Sequence, residues 1–496
     1  MSLPIRLNGA ELTVEDVRAV SQGAPIEIDE DAILRLDSVR DMLEQNIRRG
    51  EIMYGINTGF GSLASNAIPS ERLEDLQLNL IRSHAVGLGP EMRHDEVRAM
   101  MVIRLNTLLV GRSGIRSCIA VRLLDHLNSD LMPSVPTHGS LGASGDLAPL
   151  AHAALPIVGE GFLVSDGGTI SSQEALDEAG WKPLRLEAKE GLALINGTAQ
   201  MAGRGSLITE RIRRLLEKTE IVTAAMLEAF RGSMDPFDPR VHAVRPHQGQ
   251  ITSATRIRSA LEGSKRREGD AVIPRVQDPY SFRCAPQVHG VAWDALNRFE
   301  DVLSIEINAA TDNPLLFERD GELDVISQGN FHGEVLGNAA DHLALALYEV
   351  GHIMERRMDA LLDPNRSGLP AFLAKDPGLE SGWMIVHYAA AAALASLHGS
   401  VNPRTAFSTP TSGMQEDHVS CGATAMENLH VATTRFSELL SCASGIAAAA
   451  LELDDTPSSP IIEAWRTEVR GYIPLVDQDV SRSDGLRAYA HALNWS

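Results

Sequence analysis

The sequence predicts a mainly α protein, a long central helical bundle preceded by a smaller mixed domain that carries a glycine-rich loop. Three observations lead there. Apolar residues at Leu336, Ala340, Leu343, Leu347, Val350, Met354, Met358 and Leu361 step by threes and fours, the spacing of one buried helix face sustained over about seven turns. Similar spacing runs from Leu429 through Phe436, Leu440 and Ala443 to Ile446, where the small residues allow a neighbouring helix to come close. The chain before about residue 195 instead mixes short apolar runs with Gly and Pro. The expected division is therefore a mixed domain over 1–195 and a long-helix bundle and oligomerisation domain over 196–496.

Taken in order, the opening MSLPIRLNGAELTVEDV has no basic segment leading into an apolar run, so no signal peptide is expected and a cytoplasmic location is. YGINTGFGS, Tyr54 to Ser62, is a glycine-rich loop with a phenol at its head. GFLVSDGGTI reads as a hairpin turning at Asp166, Gly167 and Gly168. Lys plus Arg number 44 against 66 Asp plus Glu, a formal charge of -22, which repels nucleic acid and anionic membrane surfaces. Neither is expected as a partner. The Ala-rich stretches near 388–398 and 440–451 are too short or too interrupted to span a bilayer. Cys118, Cys284, Cys421 and Cys442 lack C-x-x-C spacing, so neither a zinc site nor a disulfide framework is expected.

The stretch GSLGASGDLAPLAH, Gly139 to His152, goes beyond fold-making. Gly139, Gly142 and Gly145 open backbone conformations that other residues reach only with strain, and they bracket Ala143 and Ser144. If the Gly145 amide nitrogen is pressed onto the Ala143 carbonyl carbon, a five-membered ring can close with loss of water. Dehydration of Ser144 then leaves an exocyclic methylene, an electrophile. Glycine is needed where a side chain would crowd the closure, and serine where a hydroxyl must leave. Asp146 reads as the N-cap of the following helix, with Pro149 in its first turn, so the ring would sit at a helix N-terminus that stabilises incoming negative charge. No Lys-Ser or Lys-Thr follows the glycines, which excludes a phosphate-binding P-loop.

VQDPYSFRCAPQVHG places Gln277, Tyr280 and Arg283 at three-residue steps, on one face of a helix or tight turn. A guanidinium there can hold a carboxylate through two parallel hydrogen bonds, which lysine cannot copy. Taken alone, Tyr54 heads an ordinary turn, Asn196 in LINGT is a helix cap, Phe331 in GNFHG a core aromatic, His84 a structural histidine and Glu416 a solvated residue.

The fourteen-residue string from Gly139 closely resembles the signature of the aromatic amino acid ammonia-lyases, the histidine and phenylalanine ammonia-lyase family. The likeness runs from about Tyr54 to about Gly422, with further motifs in the same order. The resemblance implies that Ala143, Ser144 and Gly145 become a covalent, autocatalytically formed 4-methylidene-imidazol-5-one group, with no dissociable cofactor and no metal. It implies that Tyr54 removes a proton from the substrate's β-carbon, although Glu416 is also open for that step. It further implies that Arg283 binds the substrate carboxylate and that Gln277, Tyr280, Asn196 and Phe331 line the site, with Tyr280 among the catalytic residues. His84 in IRSHAVGLG and Glu416 in GMQEDHVSCG match the imidazole-contacting residues of the family's histidine branch. L-histidine, converted to trans-urocanate and ammonia, is thus the expected small-molecule substrate. A carboxylate buried against a phenyl ring would lack a partner, whereas an imidazole N–H satisfies it. A tyrosine ammonia-lyase or aminomutase remains the alternative, because His84 can also hydrogen-bond a phenol. Departures from the pattern are Cys421, where methionine is frequent, and Met414. The family's homotetramer, with active sites shared between subunits, suits the long apolar stripes. Helical lyases of the fumarase and argininosuccinate lyase type carry a G-S-S-x-x-M-P-x-K-x-N signature. Here Met132 and Pro133 are followed by Ser134 and Val135 with no such lysine. A catalytically dead scaffold is disfavoured by the intact triplet together with Tyr54 and Arg283.

Overall fold

The computed structural model of the chain describes residues 3–59, 61–63, 66–165, 168–267, 276–476 and 478–495. Helices dominate it, as the periodicity predicts. Among the described residues the strands form four two-stranded sheets. The chain folds as two compact units. The first comprises Met1–Leu207, Glu300–Ala340 and Pro403–Glu427, and the second Ile208–Phe299, Asp341–Asn402 and Asn428–Ser496. The unit that contains the expected mixed domain thus runs on to Leu207 and takes in two later segments.

Unit 1 holds all four small sheets. Ile5–Leu7 pairs in parallel with Ile26–Ile28, and Leu88–Glu91 antiparallel with Pro136–His138. Phe162–Ser165 pairs antiparallel with Gly168–Ser171, the expected hairpin, although Asp166 and Gly167 of its turn lie outside the described residues. Leu315–Arg319 pairs with Glu322–Ile326. The core of the unit includes the helix His94–Leu109, buried without interruption from Glu96 to Leu109. Such a helix has no polar face to give to water, so its polar side chains must find partners inside. Arg98, for instance, donates to the carbonyls of Val20 and Leu127.

Unit 2 is helical. The apolar stripe read from the sequence forms one helix, Glu334–Leu362, whose last residues belong here, and each of its eight stripe residues is essentially inaccessible to solvent. Leu429, Phe436, Leu440, Ala443 and Ile446 are likewise buried along Gly422–Leu451. The small residues there do permit close approach: a β-carbon on Gly445 would lie 2.6 Å from Cζ3 of Trp383. Inside the unit, His289 Nδ1 meets Glu220 at 2.8 Å, Trp293 Nε1 donates to the same carboxylate at 3.0 Å, and Arg357 lies 3.1 Å from the other His289 nitrogen. Arg357 also donates to the carbonyl of Ser281 at 2.8 Å. No helix among the described residues is long and apolar enough to cross a membrane.

Candidate active site

A cavity of about 540 Å³ in unit 1 gathers Tyr54, His84, Ser144, Asn196, Phe331 and Glu416 along one wall system. Each arrives on a different piece of chain. Tyr54 sits in a turn that Asn57 and Thr58 tie together, receiving the amides of Met53 and Gly55 at 2.8 and 3.0 Å. The Gly61 amide donates to the Tyr54 hydroxyl oxygen at 3.3 Å, which fixes the phenol; Phe60, between them, lies outside the described residues.

His84 ends the helix Leu73–His84. Its Nδ1 lies 2.8 Å from the carbonyl of Leu80, and since a carbonyl only accepts, that nitrogen carries the proton. Burial pushes the His84 pKa below its ordinary value, against the opposing pull of the Leu80 carbonyl and Glu416. The neutral ring therefore keeps Nε2 as a lone-pair acceptor.

The reactive triplet is clamped from several sides. The Ser144 hydroxyl donates to Glu416 Oε1 at 3.0 Å, and the Ser144 carbonyl accepts from Asn196 Nδ2 at 2.7 Å. Thr411 donates to the other Glu416 oxygen at 2.8 Å. Gly145 has φ +76° and abuts Gly197 so closely that a β-carbon would overlap the Gly197 backbone. Glycine is obligatory there on two counts, and the Asp146 amide donates to the Gly197 carbonyl at 2.7 Å. Upstream, the Gly142 carbonyl accepts from the amide of Gly333 and the hydroxyl of Ser420, both at 3.1 Å, and the Cys421 amide donates to Leu141. Ala143 packs on Val419 and Cys421.

Asp146 corrects one expectation. It stands at the N-cap position of Leu147–Ala154 but makes no side-chain cap bond there. Its carboxylate instead accepts the amides of Gln200 and Met201, at 2.9 and 3.0 Å, and the Ser140 hydroxyl. It therefore caps Ala199–Phe230, whose free amides lie closer to it in space than those of its own helix. Complete burial raises its pKa to about 7 despite those three donors.

Gln277, Tyr280 and Arg283 come together on one recess, but a different one from the cavity, within unit 2, with Phe230, Asp278, Pro279, Asn365 and Arg366. Tyr280–Arg283 is a single helical turn. Its backbone is held by the Arg357 bond to Ser281 and by Phe282 stacked on Phe230 at 4.2 Å. The Arg283 guanidinium lies 4.4 Å above the Tyr280 ring, and its buried Nε has no hydrogen-bond partner among the described residues.

Of the sequence departures, Met414 is exposed, whereas Cys421 is buried with its thiol 3.1 Å from the Phe407 carbonyl. Sequence reasoning missed Asn313, Asn79 and Ser83, which also line the cavity. The dipeptide Asn313-Pro314 signals a loop but nothing about a site.

The same order of elements extends to known proteins. A family model described as aromatic amino acid lyase matches residues 12–471. The histidine ammonia-lyase of Streptococcus gordonii is 44% identical over 86% of this chain and 82% of its own length. Two solved structures cover 99% of this chain. The tyrosine aminomutase of Streptomyces globisporus has a TM-score of 0.93 and 36% identity over 97% of its length. The histidine ammonia-lyase of Trypanosoma cruzi has a TM-score of 0.89 and 35% identity over 93%. This chain belongs to the aromatic amino acid lyase family.

Proposed function

We propose that this chain eliminates ammonia from L-histidine, giving trans-urocanate, with a 4-methylidene-imidazol-5-one closed from Ala143, Ser144 and Gly145. The observation that carries the reading is the joint placement of His84, Glu416 and the triplet on one cavity, with the Ser144 hydroxyl 3.0 Å from Glu416. The residues fit the group. Only glycine is accommodated at position 145, and Asn196 keeps a buried Oδ1 with no hydrogen-bond partner among the described residues while its Nδ2 grips the Ser144 carbonyl.

Once formed, the group supplies an electrophilic methylene of a kind that no side chain carries. The chain's own residues do the rest. His84 Nε2 accepts an N–H from the substrate ring, and Glu416 is a second acceptor for that ring. The orphaned Asn196 Oδ1 is an acceptor for the α-ammonium, and the Tyr54 oxygen is placed to take the β-proton. Phe331 with Leu80, Leu147 and Leu192 provides apolar wall that limits water in the cavity. A carboxylate clamp is missing from this set, and the Gln277, Tyr280 and Arg283 recess supplies it from another subunit of a homotetramer. Arg283, with donors to spare, suits a two-pronged grip on the α-carboxylate. The four cysteines, none of them in a disulfide, suit the reducing cytoplasm, where we place the enzyme.

The likeness to the tyrosine aminomutase structure supports a second reading, in which His84 Nε2 accepts a phenolic O–H. Glu416 favours histidine, since the imidazolium form of that ring offers an N–H donor to each of the two acceptors, where a phenol offers one donor in all. The test measures two things on the purified protein. The peptide containing Ser144 should have lost two waters, and urocanate should be the dominant product when histidine, tyrosine and phenylalanine are supplied in turn. Coumarate as the main product would move the assignment to tyrosine, and a peptide retaining both waters would overturn the prosthetic group.

A further inference from the structure

The turn against which the triplet rests is itself held by one buried cation. Arg104, 2% exposed, lies in the helix His94–Leu109 and sends its guanidinium across to the end of the helix Glu190–Ile195. Nη1 donates to the carbonyl of Asn196 at 2.9 Å and Nη2 to the carbonyl of Ala193. Gly197, at φ +151°, packs its α-carbon so tightly on this guanidinium that a β-carbon would collide with Nη1. Asn196 and Gly197 are among the residues that hold the triplet, through the Ser144 carbonyl and through Gly145 and the Asp146 amide.

An arginine with no carboxylate in direct contact is costly to bury. Arg104 has none within ion-pair distance among the described residues: Asp312, paired at 2.5 Å with the wholly buried Lys189, and Asp146 act on it only from farther off. Burial lowers its pKa to about 10, which still leaves it charged at neutral pH. Two helix-end carbonyls are a small return for that cost if stability alone is served. Ring closure has a stricter demand, because the Gly145 nitrogen must be forced from van der Waals contact to bonding distance of the Ala143 carbon, and displacements of about 1 Å cost such reactions roughly a hundredfold.

We propose that Arg104 is a positioning residue for closure of the Ala143-Ser144-Gly145 ring, holding the Ala193–Gly197 turn as the rigid template of the triplet. The proposal rests on the reading of the triplet given above. In the closure, a bond forms from Gly145 N to the Ala143 carbonyl carbon, and the Ala143 oxygen leaves as water with the hydrogens of the Gly145 and Ser144 amides. A second water takes the Ser144 hydroxyl and α-hydrogen. No oxidant or reductant is needed. Arg104 touches none of these atoms and acts through Asn196 and Gly197.

The test compares Arg104→Met, which removes the buried charge, with Arg104→Lys, which keeps it on a head that cannot reach both carbonyls. Each variant is purified full length, checked by circular dichroism and thermal melting, and its Ser144 peptide is weighed. The expected result is a cooperatively melting Arg104→Met in which the fraction that has lost two waters is at least tenfold below wild type, with partial recovery in Arg104→Lys. Turnover should then scale with the dehydrated fraction at unchanged KM, which a general loosening of the site would not produce. Full dehydration in either folded variant would overturn the proposal. So would the absence of a cooperative transition in both, which would assign Arg104 to the core alone. Wild-type protein that retains both waters would instead overturn the reading of the triplet, and this proposal with it.

Discussion

The cavity of unit 1 and the recess of unit 2 hold the same kinds of residue, a tyrosine, amides and ionisable groups, yet they are built in opposite ways. In the cavity the principal polar side chains are tied to one another or to the backbone, Ser144 to Glu416 and Asn196, Glu416 to Thr411, His84 to Leu80, and single atoms such as Asn196 Oδ1 stay open. In the recess Gln277 is exposed, Tyr280 is 70% exposed, and Arg283 has only a ring beneath it. On the proposed function, the rigid part belongs to the cavity, where bond making needs close placement, and the recess keeps the Arg283 cation available to grip a carboxylate. Preorganisation and availability compete for the same donors, and here they are assigned to different stretches of chain.

The largest break should come from the cavity. Ser144→Ala should fold and melt like wild type, lose no water, and fall by about four orders of magnitude or more in turnover, roughly 5.5 kcal/mol. Near-wild-type turnover would end the reading. Next comes ring selection. A site with two unpaired polar groups can reject phenylalanine by about 10⁴-fold, so His84→Leu combined with Glu416→Gln should erode that preference by roughly a hundredfold or more, chiefly by losing histidine. Equal products from all amino acids before mutation would show that neither residue meets the ring.

The recess should be more forgiving. Arg283→Lys keeps charge but loses the fork, so kcat/KM should drop about ten- to a hundredfold, ~1.5–3 kcal/mol. An unchanged value would remove Arg283 from substrate binding. The comparison sharpens when Ser144→Ala and Arg283→Met chains are coexpressed. Sites that combine the intact cavity of one chain with the intact recess of another should regain activity that neither parent has. Mixed assemblies as inactive as the parents would mean that each chain builds its own site.

A separate effect concerns stability rather than turnover. Burial lowers the His126 pKa to about 4, with Arg122 adding to the effect and the Leu131 carbonyl opposing it. The unfolded chain therefore binds a proton that the folded chain refuses between pH ~6.5 and about 4, and stability present above that window is lost through it, up to roughly 3 kcal/mol. His126→Gln should flatten the acid limb of the denaturant midpoint against pH. Parallel limbs in the two proteins would place the acid sensitivity elsewhere.

The long helices were legible because one face repeats without interruption, and Leu336 to Leu361 is buried at every predicted position. The triplet was legible because its chemistry dictates residue types. What escaped was anything that depends on which distant segments meet. Asp146 reads as the cap of the helix it precedes, and only the fold reveals that Gln200 and Met201 present nearer amides. Arg104 and Lys189 look like surface charges in sequence, since nothing local announces that their heads end inside. The spacing of Gln277, Tyr280 and Arg283 suggests a shared face, but says nothing of which cavity it would serve.

The clamp on the triplet also sets an order of events in biosynthesis. Gly142 is held by Gly333 and Ser420, Leu141 by Cys421, and Ser144 by Glu416, which lies 272 residues downstream. On the proposed chemistry, a nascent chain cannot compress its triplet until residues past 420 have left the ribosome and docked. The electrophile is thus made last, once the folded walls of the cavity stand around it, which shields it from cellular thiols and amines that would consume it during synthesis. Maturation becomes a record of completed folding, written into the mass of each molecule.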